Sequence, residues 1–297
     1  MTYIQPWIAA DLDAHPHRWQ LALSEEQTEA LRLGGEHSAP VHHAIVRSTL
    51  RSVFSGWGFL VVHGVVRPGC DPTEAETILR AMAPCLGCAH PQSLDKSMVG
   101  WLEDHPGSDW RLEQPMHTDG GDLLVLLCIR PAAVGGHSRL VSAMSAYEKL
   151  RTTAPELLAE LCRPWKFDRK GRPGPPTLEK TIFEQVDGEL HCFHLPGTVR
   201  STPAIHGLTP HTPTEKAALD ALDAAVNDPA LRYETCLQPG DLLILDNSAA
   251  LHARSGYEDS CEAEKRLLLR MWWTVDRQAW RRLAASTTAC EPRDVGP

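Results

Sequence analysis

Met116-His117-Thr118-Asp119-Gly120 and Gly240-Asp-Leu-Leu-Ile-Leu-Asp-Asn-Ser-Ala-Ala-Leu-His252 are the two stretches that decide the fold. The first sets an imidazole and a carboxylate two residues apart. In an extended chain, residues i and i+2 face the same side. His117 and Asp119 can therefore aim at one point. The second stretch ends a buried, strand-like apolar run on another imidazole. For His252 to reach the same point, strands far apart in the chain must share one interior. A barrel or sandwich of antiparallel strands brings this about.

The spacing alone carries little weight. With 15 histidines and 18 aspartates in 297 residues, chance supplies about one His-x-Asp. Context raises its value. Gly135-Gly136 and Ser138 follow the first stretch. Lys265-Arg266-Leu-Leu-Leu-Arg270-Met-Trp-Trp273 follows the second. If that segment is extended, residues 266, 268, 270 and 272 share a face, and the two arginines point the same way about 13 Å apart. A guanidinium fork suits a carboxylate ligand better than an ammonium does. Two histidines and one carboxylate on one side of a metal leave the other side open, the ligand set of non-haem iron(II) oxygenases.

The chain resembles the taurine dioxygenase and clavaminate synthase-like family of iron(II)/2-oxoglutarate-dependent oxygenases. The matching segments include Gly56-Trp-Gly-Phe-Leu-Val-Val-His-Gly64, Pro91-Gln92-Ser93, Met116–Gly120, Leu126-Leu-Cys-Ile-Arg-Pro131, Gly135-Gly-His-Ser138, Leu237–Asn247, Leu251-His252 and Arg266–Arg270. They run in family order over about residues 50 to 275. The resemblance implies a double-stranded β-helix (jelly-roll) core, and iron(II) held by His117, Asp119 and His252. It also implies 2-oxoglutarate as co-substrate, dioxygen as oxidant, and succinate and CO2 as products. By the same resemblance Arg266 holds the C5 carboxylate of 2-oxoglutarate. Ser138 lends it a hydroxyl, where taurine dioxygenase has threonine. Arg270 lies nearer the iron, beside the C1 carboxylate or an anionic group of the substrate. Because the metal-binding carboxylate is present, the family chemistry implied is oxygenation or desaturation rather than halogenation.

Composition excludes several classes. A formal net charge of -9 argues against nucleic acid, which selects clustered positive charge. No apolar run is long enough for a transmembrane helix, and the N-terminus lacks a basic region followed by an apolar one, so no signal peptide is expected. Nine cysteines without a secretory signal are expected as reduced thiols in a cytoplasm. Cys85-Leu-Gly-Cys88 lacks a second pair and is read as part of a loop leading to Pro91-Gln92. Oligomeric state is not legible.

The organisation expected is mainly β with flanking helices (α+β), as one jelly-roll domain over 1–275. An insert of loop and hairpin spans 163–200, and a weakly ordered tail spans 276–297. Helices are expected from Ser24, a capping box, to Leu33, and over 41–55, Thr73–Ala83, Ser145–Leu161 and Glu215–Ala225. Strands are expected over Phe59–His63, Leu123–Ile129, Leu140–Ser142, Gly240–Leu245 and Arg266–Trp273. A hairpin turns at Asp187-Gly188. Arg163–Pro176 is expected as a basic, solvated loop, with a lid over an acidic substrate as its alternative.

The reading is an enzyme that hydroxylates an aliphatic carbon of a small molecule, possibly amino-acid-derived or of natural-product type. Desaturation, epoxidation and ring formation stay open. So do a taurine-type reaction on an anionic substrate and a non-catalytic 2-oxoglutarate-binding jelly roll. A zinc-dependent lyase or isomerase on a similar barrel would want a denser histidine cluster. His191 and His194 are placed at the pocket mouth, and Trp101 and Trp110 at its wall or in the core.

Overall fold

The computed structural model describes residues 4–92, 97–105, 107, 109–261, 264–280 and 282. Ser93 of the Pro91-Gln92-Ser93 segment, and residues 281 and 283–297 of the expected tail, lie outside them.

Two sheets face each other. Among the described residues the larger runs in the order β1 (Gln20–Ala22), β2 (Phe59–His63), β14 (Leu242–Asp246), β6 (Leu123–Arg130), β17 (Leu267–Thr274) and β3 (Cys88–His90), with β4 (Gly100–Leu102) also paired to β17. The β1–β2 pair is parallel and the other pairs of this sheet are antiparallel. The smaller runs β13 (Tyr233–Thr235), β8 (Ser138–Ser142), β15 (Ala250–Arg254) and β5 (Gln114–His117). This is the jelly-roll arrangement, in which chain-distant strands become neighbours. Two short strands, β7 (Val134–Gly135) and β16 (Tyr257–Glu258), pair at one end. Gly135 has φ 72°, and a Cβ there would lie 2.2 Å from the Gly256 carbonyl oxygen, so only glycine fits this crossing.

Period-2 alternation sorts the strand residues. On β17, Leu267, Leu269, Met271 and Trp273 pack outward with the helices α2 (Glu25–Leu33), α3 (Gly35–Thr49) and α4 (Pro72–Leu86). Leu268 and Trp272 face the space between the sheets, with Leu124 and Leu126 of β6 and Leu243 and Leu245 of β14. Trp273 is fully buried, and its truncation to Ala would cost about 3–5 kcal/mol. The outer face of the smaller sheet packs on α5 (Ala143–Thr153), α6 (Pro155–Leu161) and α8 (Pro213–Val226). The N-terminal α1 (Ala9–Ala14) brings Leu12 to the inter-sheet core. No helix among the described residues is long and apolar enough to cross a membrane.

Local chemistry sets the boundaries. Ser24 Oγ accepts from Gln27 N–H, while the Gln27 side chain accepts from Ser24 N–H at 2.9 Å, starting α2 where expected. Asp187 and Gly188, at φ 52° and 81°, turn the hairpin between β11 (Phe183–Val186) and β12 (Glu189–Cys192).

The structure also departs from expectation. The single helix Ser145–Leu161 is two, broken at Ala154 (φ −153°, ψ 62°) because a residue before proline is pushed out of the helical region. Helix 41–55 starts earlier, at Gly35, and ends in a π turn over Leu50–Phe54. Arg163–Pro176 is not all loop. β9 (Pro164–Asp168) pairs with β10 (Thr177–Thr181), burying Trp165 and Phe167. The segment 163–200 then enters α7 (Pro196–Ile205), which the sequence did not signal. Cys85 lies in the last turn of α4 and Cys88 opens β3, so the CxxC is not in a loop.

Candidate metal centre

His117 and His252 are direct cross-strand partners on β5 and β15. Opposed residues on one sheet face stand within reach of each other, and their rings are 4.2 Å apart between centroids. Asp119 follows the end of β5 and is not in the ladder. Its Oδ1 lies 3.9 Å from His117 Nε2, and its Oδ2 lies 3.8 Å from His252 Nε2. One donor atom from each of the three lies within 4.8 Å of the others. His117 Nδ1 sits 2.8 Å from the Pro115 carbonyl oxygen. A carbonyl only accepts, so Nδ1 carries the proton and Nε2 turns its lone pair to the shared point.

Electrostatics prepare these donors. Burial, with His252 close by, depresses the His117 pKa to about 4, so this imidazole is neutral at pH 7. Burial alone would raise the Asp119 pKa. The Arg270 guanidinium and the two imidazoles outweigh it and hold the carboxyl well below the usual carboxylate range. Two imidazole nitrogens and one carboxylate form a donor set that fits iron(II).

Arg266 and Arg270 line the same inter-sheet pocket as the three donors, together with Ser138, Arg254 and Trp110. Arg266 is 5% exposed. Its guanidinium lies over the Tyr257 ring at 5.3 Å, and burial lowers its pKa. Among the described residues its side chain has no ion-pair or hydrogen-bond partner. A buried cation without a direct ion pair is costly, and this one lines the pocket that the three donors share. Ser138 is buried beside it, on the inward face of β8.

Arg270 differs. Its Nη1 donates to Asp119 Oδ2 at 3.0 Å, its Nε donates to Gln92 Oε1 at 2.7 Å, and the group stacks on Trp272 at 4.6 Å. Arg172, from the β9–β10 connection, donates to the Gln92 carbonyl oxygen at 3.1 Å and lies 5.5 Å over the same indole. A second cleft opens from Asp119 and Trp272 between Arg169, Lys170, Arg172, Phe167 and Phe193.

Several functional contacts were not read from sequence. Arg254 is buried and donates to the Trp110 and Leu112 carbonyl oxygens, tying the pocket wall to the strand of His252. Its position two residues after His252, on the same strand face, was the available signal. Gln92 and Asn247 touch Arg270 and Asp119 from distant segments, and nothing in their local sequence marks those contacts. Trp110 lines the pocket, whereas Trp101 is 44% exposed and donates to Glu76. His194 is not at the mouth. It is fully buried, and its carbonyl oxygen accepts from Thr118 N–H at 2.8 Å. His191 lines a polar cleft on the far side of Asp119.

The family model for "Taurine catabolism dioxygenase TauD, TfdA family" matches residues 23–272. The chain is 29% identical over 249 residues to FR-33289 synthase of Streptomyces rubellomurinus, covering 78% of this chain and 73% of that one. It is 27% identical over 183 residues to a uridine-5'-phosphate dioxygenase of Amycolatopsis, covering 58% and 66%. In fold it is similar to asparagine oxygenase solved with Fe(II), 2S,3S-3-hydroxyasparagine and succinate (TM-score 0.67, 16% identity, 86% of this chain and 93% of that one). It is also similar to the non-heme iron oxygenase OrfP solved with Fe and alpha-ketoglutaric acid (TM-score 0.61, 16% identity, 89% and 96%).

Proposed function

The chain belongs to the TauD, TfdA dioxygenase family and is an iron(II)- and 2-oxoglutarate-dependent oxygenase, and on that premise we propose how its residues divide the work. His117, Asp119 and His252 hold the iron. Arg266 and Ser138 take the C5 carboxylate of 2-oxoglutarate, and Arg270 orients groups beside the metal. The metal ligands and the residues that take 2-oxoglutarate all lie within 1–275, and the protein works in a cytoplasm. Bound iron and 2-oxoglutarate supply oxidative decarboxylation coupled to attack on an unactivated C–H bond. The chain's own part is to fix geometry, exclude water and neutralise charge. The observation that carries this reading is the convergence of three donor atoms within 4.8 Å beside a buried, partnerless Arg266.

The substrate is a small molecule, and the reaction is hydroxylation of an aliphatic carbon in natural-product or amino-acid-derived metabolism. One observation favours an anionic substrate. The cleft beyond Asp119 gathers Arg169, Lys170 and Arg172 in a chain of net charge -9, and a local positive field recruits anions. The name uridine-5'-phosphate dioxygenase, carried by a relative, agrees with a phosphate-bearing compound.

Anaerobic addition of iron(II) and then 2-oxoglutarate to the metal-free chain should give a visible charge-transfer band. A panel of anionic and neutral metabolites, scored by succinate release under air, should then identify the substrate. A band without any substrate-stimulated succinate would favour the non-catalytic 2-oxoglutarate-binding protein. Absence of the band would reject the iron reading itself.

A further inference from the structure

Asp119 lies beyond the end of β5, so no strand pairing fixes it. The loop it opens, Asp119-Gly120-Gly121-Asp122, contains two glycines, the second at φ 80°. Such a loop has much backbone freedom to lose. Asn247, 4% exposed, meets it at each step. Asn247 Oδ1 accepts from Asp119 N–H at 3.1 Å. Asn247 Nδ2 donates to the Gly120 and Gly121 carbonyl oxygens at 3.3 and 3.2 Å. Asn247 N–H donates to the Asp122 carbonyl oxygen at 3.0 Å.

Asn247 is held in turn by a residue from another part of the chain. Its neighbour Asp246 is fully buried. Arg277 Nη1 and Nη2 reach the two Asp246 oxygens at 2.6 and 2.7 Å, a two-pronged ion pair. Arg277 Nε also lies 3.7 Å from Asp122 Oδ1, while Val275 N–H donates to Asp122 Oδ2 at 2.9 Å. The segment leaving β17 is thus stitched to the Asp122 end of the metal-site loop and, through Asp246, to the turn that carries Asn247. Trp280 packs on Phe54 at 5.0 Å and anchors the segment further. Arg277 stands outside the family-matched residues 23–272.

We propose that Asn247 and Arg277 are positioning residues for Asp119. Asn247 grips the loop backbone, and Arg277 locks the turn that carries Asn247 through Asp246. The chain beyond the last strand is thereby part of the metal site without touching metal or substrate. The proposal rests on reading Asp119 as an iron ligand.

Cobalt(II) titration of the full metal-free chain, followed by visible absorption, tests it. The variants are Asn247→Ala, Arg277→Gln, Arg277→Lys and His252→Ala. Second-sphere partners of metal ligands typically set affinity by about 10–100-fold. Asn247→Ala and Arg277→Gln should therefore weaken cobalt(II) by about tenfold or more. Arg277→Lys, which can remake one ion pair with Asp246, should recover most of that loss. The iron(II)–2-oxoglutarate band of Arg277→Gln should be displaced at saturating metal. Arg277→Gln leaves Asp246 buried without its cation. If it does not fold, the double variant Asp246→Asn with Arg277→Gln removes that charge and is titrated in its place. Wild-type cobalt(II) affinity in Asn247→Ala and in the folded Arg277 variant, even with a lowered melting temperature, would leave these residues merely structural and overturn the proposal. Wild-type affinity in His252→Ala would instead reject the ligand assignment beneath it.

Discussion

Arg266 and Arg270 stand four residues apart on one strand face and line one pocket, yet they are opposite in electrostatic state. Arg266 is almost fully enclosed and has a tyrosine ring but, among the described residues, no direct ion pair for its guanidinium. Arg270 holds a carboxylate, an amide oxygen and an indole face at once. A desolvated cation without an ion pair gains most from a ligand that brings one, which is the ground for proposing Arg266 as the carboxylate anchor. Arg270 already has its anion in Asp119. Its guanidinium keeps that carboxylate ionised, and the proposed task is to orient it beside the metal. The same side chain at two nearby positions thus meets two electrostatic surroundings, and the neighbours decide which.

The largest expected effect removes the carboxylate that sets Arg270 apart from Arg266. Asp119→Ala should abolish iron-dependent turnover and leave Arg270 without its anion. Near-normal product formation in that variant would end both the ligand assignment and the comparison. Next comes Arg266→Ala. Losing a buried charged partner costs about 2–5 kcal/mol, so the apparent 2-oxoglutarate requirement should rise by about 30-fold or more. Measuring succinate against 2-oxoglutarate concentration checks this, and an unchanged requirement would show that Arg266 is not the anchor.

Acid should break the imidazole side of the site before the arginine side. His117 is depressed to about 4 when folded, against about 6.5 for a free imidazole. The unfolded chain then binds more protons between those values. Stability of the metal-free chain is full above pH 6.5 and declines as pH falls toward 4, by about 3 kcal/mol. Denaturant melts of the wild type and of His117→Gln across that window should differ in slope. Equal slopes would remove His117 as the titrating group. Arg270→Ala should leave the 2-oxoglutarate requirement close to wild type yet release succinate without matching product. A large 2-oxoglutarate defect here, with none in Arg266→Ala, would swap the two roles. Arg172→Ala should act least. A part-exposed ion contact is worth at most about 1 kcal/mol, so the KM for an anionic substrate should rise no more than about fivefold. The rise should shrink at high salt, and a salt-independent loss would point to packing on Trp272 instead of charge.

Much of the frame was legible because it depends on short-range periodicity. Alternation over Arg266–Trp273 puts both arginines on one face, and the structure sends Leu267, Leu269 and Met271 to the helices and Leu268 and Trp272 inward. The capping box at Ser24 and the Asp187-Gly188 turn marked their elements because each is a local hydrogen-bond or backbone-angle device. Misreadings arose where composition masked pattern. Proline, glycine and charge around Arg163–Pro176 hid the alternation of Trp165 and Phe167 that builds β9. Pro155 was passed over inside an otherwise continuous helical pattern.

The sequence by itself determined the strand periodicity, the donor types and the presence of two arginines on one face. Residues within a few positions of each other carry that information. Only the tertiary structure decided that His252 stands directly opposite His117 in the ladder, why Arg266 lacks a direct ion pair while Arg270 has one, and what lies against Asp119 once its strand has ended. Those outcomes depend on Gln92, Asn247, Tyr257 and Arg277, which reach the site from separate segments of the chain. Desolvation and pairing are set by all the atoms that surround a group in space, and chain spacing does not encode that surrounding.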